Sequence, residues 1–231
     1  MNLYKELKQR AWECNRDLAR HNLIIATFGN VSAFDKNKGV FAIKPSGVPY
    51  EQLKPEQIVV VDLEYKVVEG KLRYSSDTKT HAVLYRHFAD IGGVVHTHAP
   101  YCVAWAQAKK PIPIFGTTHA DHLTQDVPCT PVMSDKDIKG DYEEETGNVI
   151  CRTFKTLSYK EIEMVLVACH GPFTWGETPE KAVYNAVVVE ELAKMALWTL
   201  MIDPKTKRLK NSLINKHFQR KHGLNAYYGQ K

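Results

Sequence analysis

Cysteine is sparse, and nothing about its placement suggests cross-linking. The five cysteines, Cys14, Cys102, Cys129, Cys151 and Cys169, are odd in number, widely spaced and form no C-x-x-C pair. That argues against a disulfide framework and for a reducing compartment. Long apolar runs are also missing, since none approaches the ~20 residues needed to span a bilayer. The opening segment MNLYKELKQRAWECNRDLAR has neither an apolar signal core nor a small-residue cleavage site. A cytoplasmic protein without a membrane partner is expected. Nor is charge of one sign concentrated: the net charge is a mild +5, and the densest basic run, Lys205 to Lys210, reads as a solvated loop or helix face. No nucleic-acid partner is expected, while a small anionic substrate suits the positive balance. Repeats, low-complexity tracts and linkers are absent, so residues 1–231 are expected to form one domain.

What is present is ordinary globular composition, 44% hydrophobic and 25% charged. Leu3, Leu7, Ala11, Cys14 and Leu18 share one helical face, predicting a helix that ends near His21 and Asn22. Short β-like pieces follow at Leu23 to Ala26, Gly29 to Phe34, Val40 to Ile43, Ile58 to Asp62 and Val67 to Glu69. Ser75-Ser76-Asp77 opens a helix with Ala82, Leu84, Tyr85 and Phe88 as its apolar face. Further helices are predicted through Ala104 to Ala106, around Gly147 to Phe154, and from Pro179 to Met201 behind a Thr178 cap; Met164 to Ala168 is a buried strand. The hairpin-like spacing predicts a single α/β domain with a largely antiparallel central sheet sandwiched by helices.

Two imidazoles stand at the end of an apolar run in Val94-Val95-His96-Thr97-His98. In a strand, residues i and i+2 face one side, so His96 and His98 project together with Val94. Spacing alone leaves hydrogen-bonded structural histidines and metal ligands both open. Leu166 to His170 is a second apolar strand ending in a histidine and stopped by Gly171-Pro172, and Asp77 sits in the first turn of a helix, where dipole stabilisation is the plain reading. If these elements meet, three neutral imidazoles and one carboxylate suit Zn²⁺, and less selectively Mn²⁺ or Co²⁺. Thr117-Thr118-His119-Ala120-Asp121-His122 approaches an H-x-H-x-D-H metallohydrolase signature, but Thr117 occupies the place of the first ligand.

The segments GNVSAF, IKPSGV, SSDTKTH, VVHTH, GTTHAD, CHGPFTWG and KHFQRKHGLNAYYGQ occur in one order along nearly the whole chain. Together they resemble the L-ribulose-5-phosphate 4-epimerases of the class II aldolase/adducin-like family. The resemblance implies metal ligands at His96, His98 and His170, with Asp77 near or on the metal. It implies phosphate binding by Asn30, Lys44, Ser46, Gly47, Ser75 and Ser76, segments in which small-residue turns expose backbone N–H groups beside a lysine. Asp121, His217 and Tyr228 match acid–base positions that the family supplies across a subunit boundary, within a fourfold-symmetric homotetramer. Thr117 and Glu143 match positions that help to orient the intermediate. One departure is His122, where an aromatic residue is expected beside Asp121.

The reaction so implied inverts C4 of L-ribulose 5-phosphate to give D-xylulose 5-phosphate, in arabinose or ascorbate catabolism. A C4–H that is not adjacent to the C2 carbonyl is not acidic, so the implied route is retro-aldol cleavage of C3–C4. A Lewis-acidic metal stabilises the enediolate, and readdition occurs to the other face of the aldehyde. Two other readings share the fold: an L-fuculose-1-phosphate-type aldolase, expected to carry Glu where Asp77 stands, and a non-enzymatic adducin-like interaction domain, expected to lack the histidines. A structural zinc protein is a third.

Overall fold

The structure, a computed structural model, describes residues 3–224, 226 and 227. In chain order its helices are α1 (Lys5–Arg20), α2 (Thr78–His87), α3 (Pro100–Ala108), α4 (Thr117–Ala120), α5 (Asp135–Lys139), α6 (Tyr142–Thr153), α7 (Pro179–Ile202) and α8 (Asn211–His222). The strands are β1 (Asn30–Asp35), β2 (Val40–Ile43), β3 (Val59–Asp62), β4 (Val67–Glu69), β5 (Gly93–His96), β6 (Met164–Val167) and β7 (Gly171–Gly176).

The seven strands form one sheet in the order β4-β3-β2-β1-β5-β7-β6, with every pairing antiparallel. The expected single α/β domain with a helix-sandwiched antiparallel sheet is therefore observed. Alternation along the strands assigns the faces. Val31 and Val95 pack with Cys14 and Leu18 of α1 and with Ala182, Val183 and Ala186 of α7. Val94, Phe173 and Trp175 face the other way, into a core with Ala82, Leu84 and Tyr85 of α2, Phe88 just after it, and Ile150 of α6. The four positions read as the apolar face of this helix are all buried, although the helix ends at His87 and Phe88 follows it.

Local sequence explains the main boundaries. α7 starts where Thr178 accepts a hydrogen bond from the Lys181 N–H, followed by Pro179 at the first helical position. α6 starts earlier than expected, at Tyr142, because the Asp141 side chain accepts from the Glu144 N–H, and three glutamates fill the first turn. Leu23 to Ala26 is not a strand, since Asn22 and Ala26 adopt positive φ and break the extended run.

Two expectations about the histidine segments change. Gly171-Pro172 does not stop a strand but begins β7, an interior strand of the sheet. Proline is tolerated near a strand start because it withholds only its own N–H, and its carbonyl still accepts from the Thr97 N–H at 3.5 Å. His170 consequently lies in the tight β6–β7 connection. β5 ends at His96, so His98 is carried by the following loop, ahead of Pro100 at the start of α3. The two rings still converge, with centroids 4.9 Å apart. The basic run at 205–210 forms a loop between α7 and α8, in which Arg208 donates to Asn211 and to the Thr124 carbonyl.

Candidate metal centre and substrate cavity

Register brings the site together at one end of the sheet. Asn30 of β1 lies opposite His96 of β5, and His96 lies opposite Phe173 of β7. The His96 ring stacks on Phe173 at 4.2 Å, and the rings of His98 and His170 stand 4.9 and 4.6 Å from it. One ring nitrogen from each histidine falls within 4.8 Å of the others. Gly29 makes this approach possible: it has φ +87°, and a Cβ there would lie 2.9 Å from the His96 carbonyl oxygen.

The protonation pattern suits a cation. His96 Nδ1 lies 3.0 Å from the Pro172 carbonyl oxygen, which can only accept, so Nδ1 carries the proton. His96 Nε2 is thereby left with a bare lone pair, buried without a partner among the described residues. A buried polar atom left unpaired costs about 1–3 kcal/mol, and a metal ion recovers that cost. An imidazole whose second nitrogen is tied to a carbonyl is the usual metal-ligand arrangement. Burial, reinforced by His96, pushes His170 down to about 4, and burial also lowers His98, so both are neutral donors at physiological pH.

Asp77 stands at the N-cap of α2, but its side chain makes no capping hydrogen bond. Its Oδ2 instead accepts from Asn30 Nδ2 at 2.6 Å, with Ser75 Oγ at 3.4 Å. Burial works against its charge, yet His96, His81 and the Asn30 hydrogen bond hold the carboxyl below the usual carboxylate range. Three imidazoles with a neighbouring carboxylate fit a divalent cation.

A cavity of about 380 Å³ opens beside the cluster. Asn30, Lys44, Ser46, Gly47, Ser75, Ser76, Asp77, His96, His98, Glu143 and His170 all line it, so most of the expected ligand and phosphate positions share one space. Two loops form the side that carries Ser46, Gly47 and Ser75. The loop after β2 is stitched to the loop before α2 by the Pro45–Tyr74 bridge and by Ser46 N–H donating to the Arg73 carbonyl. Gly47 has φ +70° with open space where a Cβ would stand, leaving backbone exposed to a ligand. Lys44 is buried and reaches over the Tyr50 ring at 4.7 Å. Burial pushes its ammonium down to about 8.

A second polar cluster lies elsewhere. Asp121, just after α4, accepts two hydrogen bonds from Arg220, 3.0 Å to Oδ1 and 2.8 Å to Oδ2, and a third contact from His217 at 3.0 Å. The His222 ring donates to the Asp121 carbonyl at 2.9 Å. Burial opposes the Asp121 charge, but Arg220 and His217 hold it below the usual range. His122 does not join this network; it packs on Tyr184 at 5.7 Å, and burial with Lys221 lowers it to about 4. Among the described residues, neither Asp121, His217 nor Thr117 lines the histidine cavity. Tyr228 lies outside the described residues.

Sequence reading missed four residues. Tyr142 and Phe28 line the cavity, 6.3 Å from His170 and 5.5 Å from His98 respectively, measured between rings. Arg220 lies one helical turn beyond His217, and His81 one turn beyond Asp77, spacings that place each pair on one helix face.

The family description "Class II Aldolase and Adducin N-terminal domain" matches residues 9–197. Among solved structures, an L-fuculose 1-phosphate aldolase is 24% identical, with a TM-score of 0.77 over 93% of this chain and 95% of that one. YgbL from Klebsiella pneumoniae, described as a candidate aldolase/epimerase/decarboxylase, is 22% identical, with a TM-score of 0.72 over 91% and 97%. The L-fuculose-1-phosphate aldolase of Thermus thermophilus is 26% identical, with a TM-score of 0.65 over 88% and 98%. An antiparallel sheet that gathers three histidines at one end thus coincides with a family match over most of the chain: this protein belongs to the class II aldolase and adducin N-terminal domain family.

Proposed function

We propose that the protein is a metal-dependent L-ribulose-5-phosphate 4-epimerase that works by cleaving and re-forming the C3–C4 bond. The observation that carries this reading is a histidine triad sharing one cavity with Lys44 and the serines Ser46, Ser75 and Ser76. His96, His98 and His170 hold the cation, with Asp77 beside them, and Zn²⁺ fits this donor set best, Mn²⁺ and Co²⁺ less selectively. A divalent ion held there would supply Lewis-acid stabilisation for negative charge developing on the substrate.

The remaining work falls to the protein's side chains. Lys44, Ser46, Gly47, Ser75, Ser76 and Asn30 fix the phosphate end, and Glu143 orients the carbon chain, joined by Thr117 from a neighbouring subunit. Inversion at C4 requires one proton-transfer group on each face of the aldehyde. Tyr228 takes one face and Asp121 the other, with His217 and Arg220 holding the Asp121 carboxylate charged. Because Asp121 and His217 stand off the histidine cavity of their own chain, a neighbouring subunit of a homotetramer delivers them. Base removal of the C4 hydroxyl proton breaks C3–C4 into an aldehyde and an enediolate, the aldehyde rotates, C3 of the enediolate re-forms the bond on the aldehyde's other face, and the second group returns a proton to the C4 oxygen.

A second reading has its own support: similarity to two L-fuculose 1-phosphate aldolases fits a reaction that stops at cleavage equally well. Asp77 and the Asp121–His217 pair favour epimerisation. The test is a pair of assays on the metal-loaded protein. With L-ribulose 5-phosphate, D-xylulose 5-phosphate should form and a chelator should abolish it. Faster release of aldehyde and dihydroxyacetone phosphate from L-fuculose 1-phosphate would replace the epimerase reading with the aldolase one.

A further inference from the structure

The three histidines of the triad are anchored unequally. His96 has its ring tied to the Pro172 carbonyl and its backbone paired on both sides in the sheet. His170 donates its N–H to the Val167 carbonyl at 3.0 Å across the tight β6–β7 connection. His98 has neither kind of anchor. Among the described residues its backbone and ring make no hydrogen bond, and its ring neighbours are Phe28, His96 and His170. Its place is therefore set by what flanks it. On one side the Thr97 N–H reaches the Pro172 carbonyl at a long 3.5 Å. On the other, Ala99 is buried with Val95 and with Ala182, Val183 and Ala186 of α7, and leads directly into α3.

The start of α3 has no cap of its own. Ala99 stands at the N-cap, where Ser, Thr, Asp or Asn would ordinarily accept from the first N–H groups. Pro100 brings no N–H, and the Val103 N–H finds the Ala99 carbonyl at 3.0 Å. Two orphan donors remain, the N–H groups of Tyr101 and Cys102. One side chain from the middle of α7 takes both: Glu190 accepts from Tyr101 at 2.9 Å through Oε1 and from Cys102 at 2.9 Å through Oε2. Glu190 is only 7% exposed, and the two bonds and the positive end of the helix offset the burial of its carboxylate.

We propose that Glu190 is a positioning residue for His98: by capping α3 from α7 it pins the helix that starts two residues after His98, and so holds an otherwise unanchored ring against His96 and His170. The proposal rests on reading the histidine triad as a metal centre. Glu190 does not line the histidine cavity. Its effect passes through the backbone of Ala99 and Pro100. A merely structural carboxylate would stabilise the fold and leave the affinity for a cation unchanged, so the two roles part in measurement.

Glu190→Gln keeps the shape but has one acceptor oxygen, and its amide N–H groups then face a backbone N–H. α3 stays attached through Trp105, whose Nε1–H donates to the Ala193 carbonyl at 2.9 Å, so the loosening is confined to the helix start. Zn²⁺ affinity of the folded variant, read by competition with a chromophoric chelator, should fall about 2–30-fold, the range that loss of a helix cap spans. The control is Asn185→Ala, which removes a buried α7 side chain bonded to the Trp175 carbonyl and to Glu163. That variant should melt lower with its Zn²⁺ affinity unchanged. Coupling is reciprocal, so in wild type Zn²⁺ should slow amide exchange at Tyr101 and Cys102 more than in the C-terminal half of α7. This measurement stands even if Glu190→Gln fails to fold. Unchanged affinity in Glu190→Gln, an equal loss in Asn185→Ala, or exchange at Tyr101 and Cys102 that ignores Zn²⁺ overturns the proposal. Wild-type protein that binds no Zn²⁺ would instead overturn the metal reading beneath it.

Discussion

The histidine triad and the Asp121 cluster draw on the same kinds of side chain and differ in how far those side chains are satisfied. Around Asp121 both carboxylate oxygens are taken, by Arg220 and His217, and even its backbone carbonyl has a partner in His222. In the triad, His96 Nε2 and His170 Nδ1 are buried with no partner among the described residues. Folding leaves few buried polar groups unpaired without a compensating role. The triad is therefore organised for something outside the chain's own atoms, whereas the Asp121 cluster is organised to hold one charge in one orientation. The two regions can be separated by substitution, because ligand loss and charge loss have different readouts.

The largest effect is expected in the triad. His98→Asn should lose metal more severely than the about 10–100-fold typical of outer partners, and epimerase activity should vanish with it. Elemental analysis of the purified variant checks this, and full metal content would remove His98 from the ligand set. Asp121→Asn should do the reverse, retaining metal while turnover falls by about 10²–10⁴, the usual worth of a general acid or base. It should also alter acid stability in a defined direction. Asp121 titrates below its ordinary 3.8 in the fold, so its stabilising contribution is complete above that value and is lost as pH falls through the lower one. The gap in thermal midpoint between wild type and Asp121→Asn should therefore close on acidification, and a gap that widened would show Asp121 to be strained.

How much of each region was legible in the sequence follows from the same contrast. The triad's residue types were readable because each histidine ends an apolar run. Its geometry was not: His98 lies past the strand end, and Gly171-Pro172 starts β7, because both depend on pairing with distant strands. Asp77 was legible as a helix-start carboxylate, but its partner Asn30 is 47 positions away and reaches it only through sheet register. Arg220 was missed although it lies within the quoted tail, since nothing local shows that α8 folds back against α4 and aims a guanidinium at Asp121. The helix-sandwiched antiparallel sheet needed less, because alternation and turn spacing are local signals.

The smallest effect is the one that most sharply tests the cavity's anion side. Lys44 is the buried cation of the cavity, and burial lowers it to about 8 from an ordinary 10.5. For a base with a depressed value, the cost of burying its charge is fully present below the folded value and is relieved as pH rises from there towards the unfolded one. A phosphate dianion beside the ammonium works in the opposite direction and restores the proton. Substrate binding near pH 8.5, where phosphate is already dianionic, should therefore take up as much as roughly three-quarters of a proton per site, the fraction missing from a group titrating at about 8. Calorimetric titration in buffers of different ionisation enthalpy measures that uptake directly. Near pH 6.5 the lysine is already charged and its contribution should disappear. Lys44→Arg, charged at both pH values, should bind the phosphate end without the uptake. Uptake that persisted in Lys44→Arg would assign the proton to another group and move the phosphate away from Lys44.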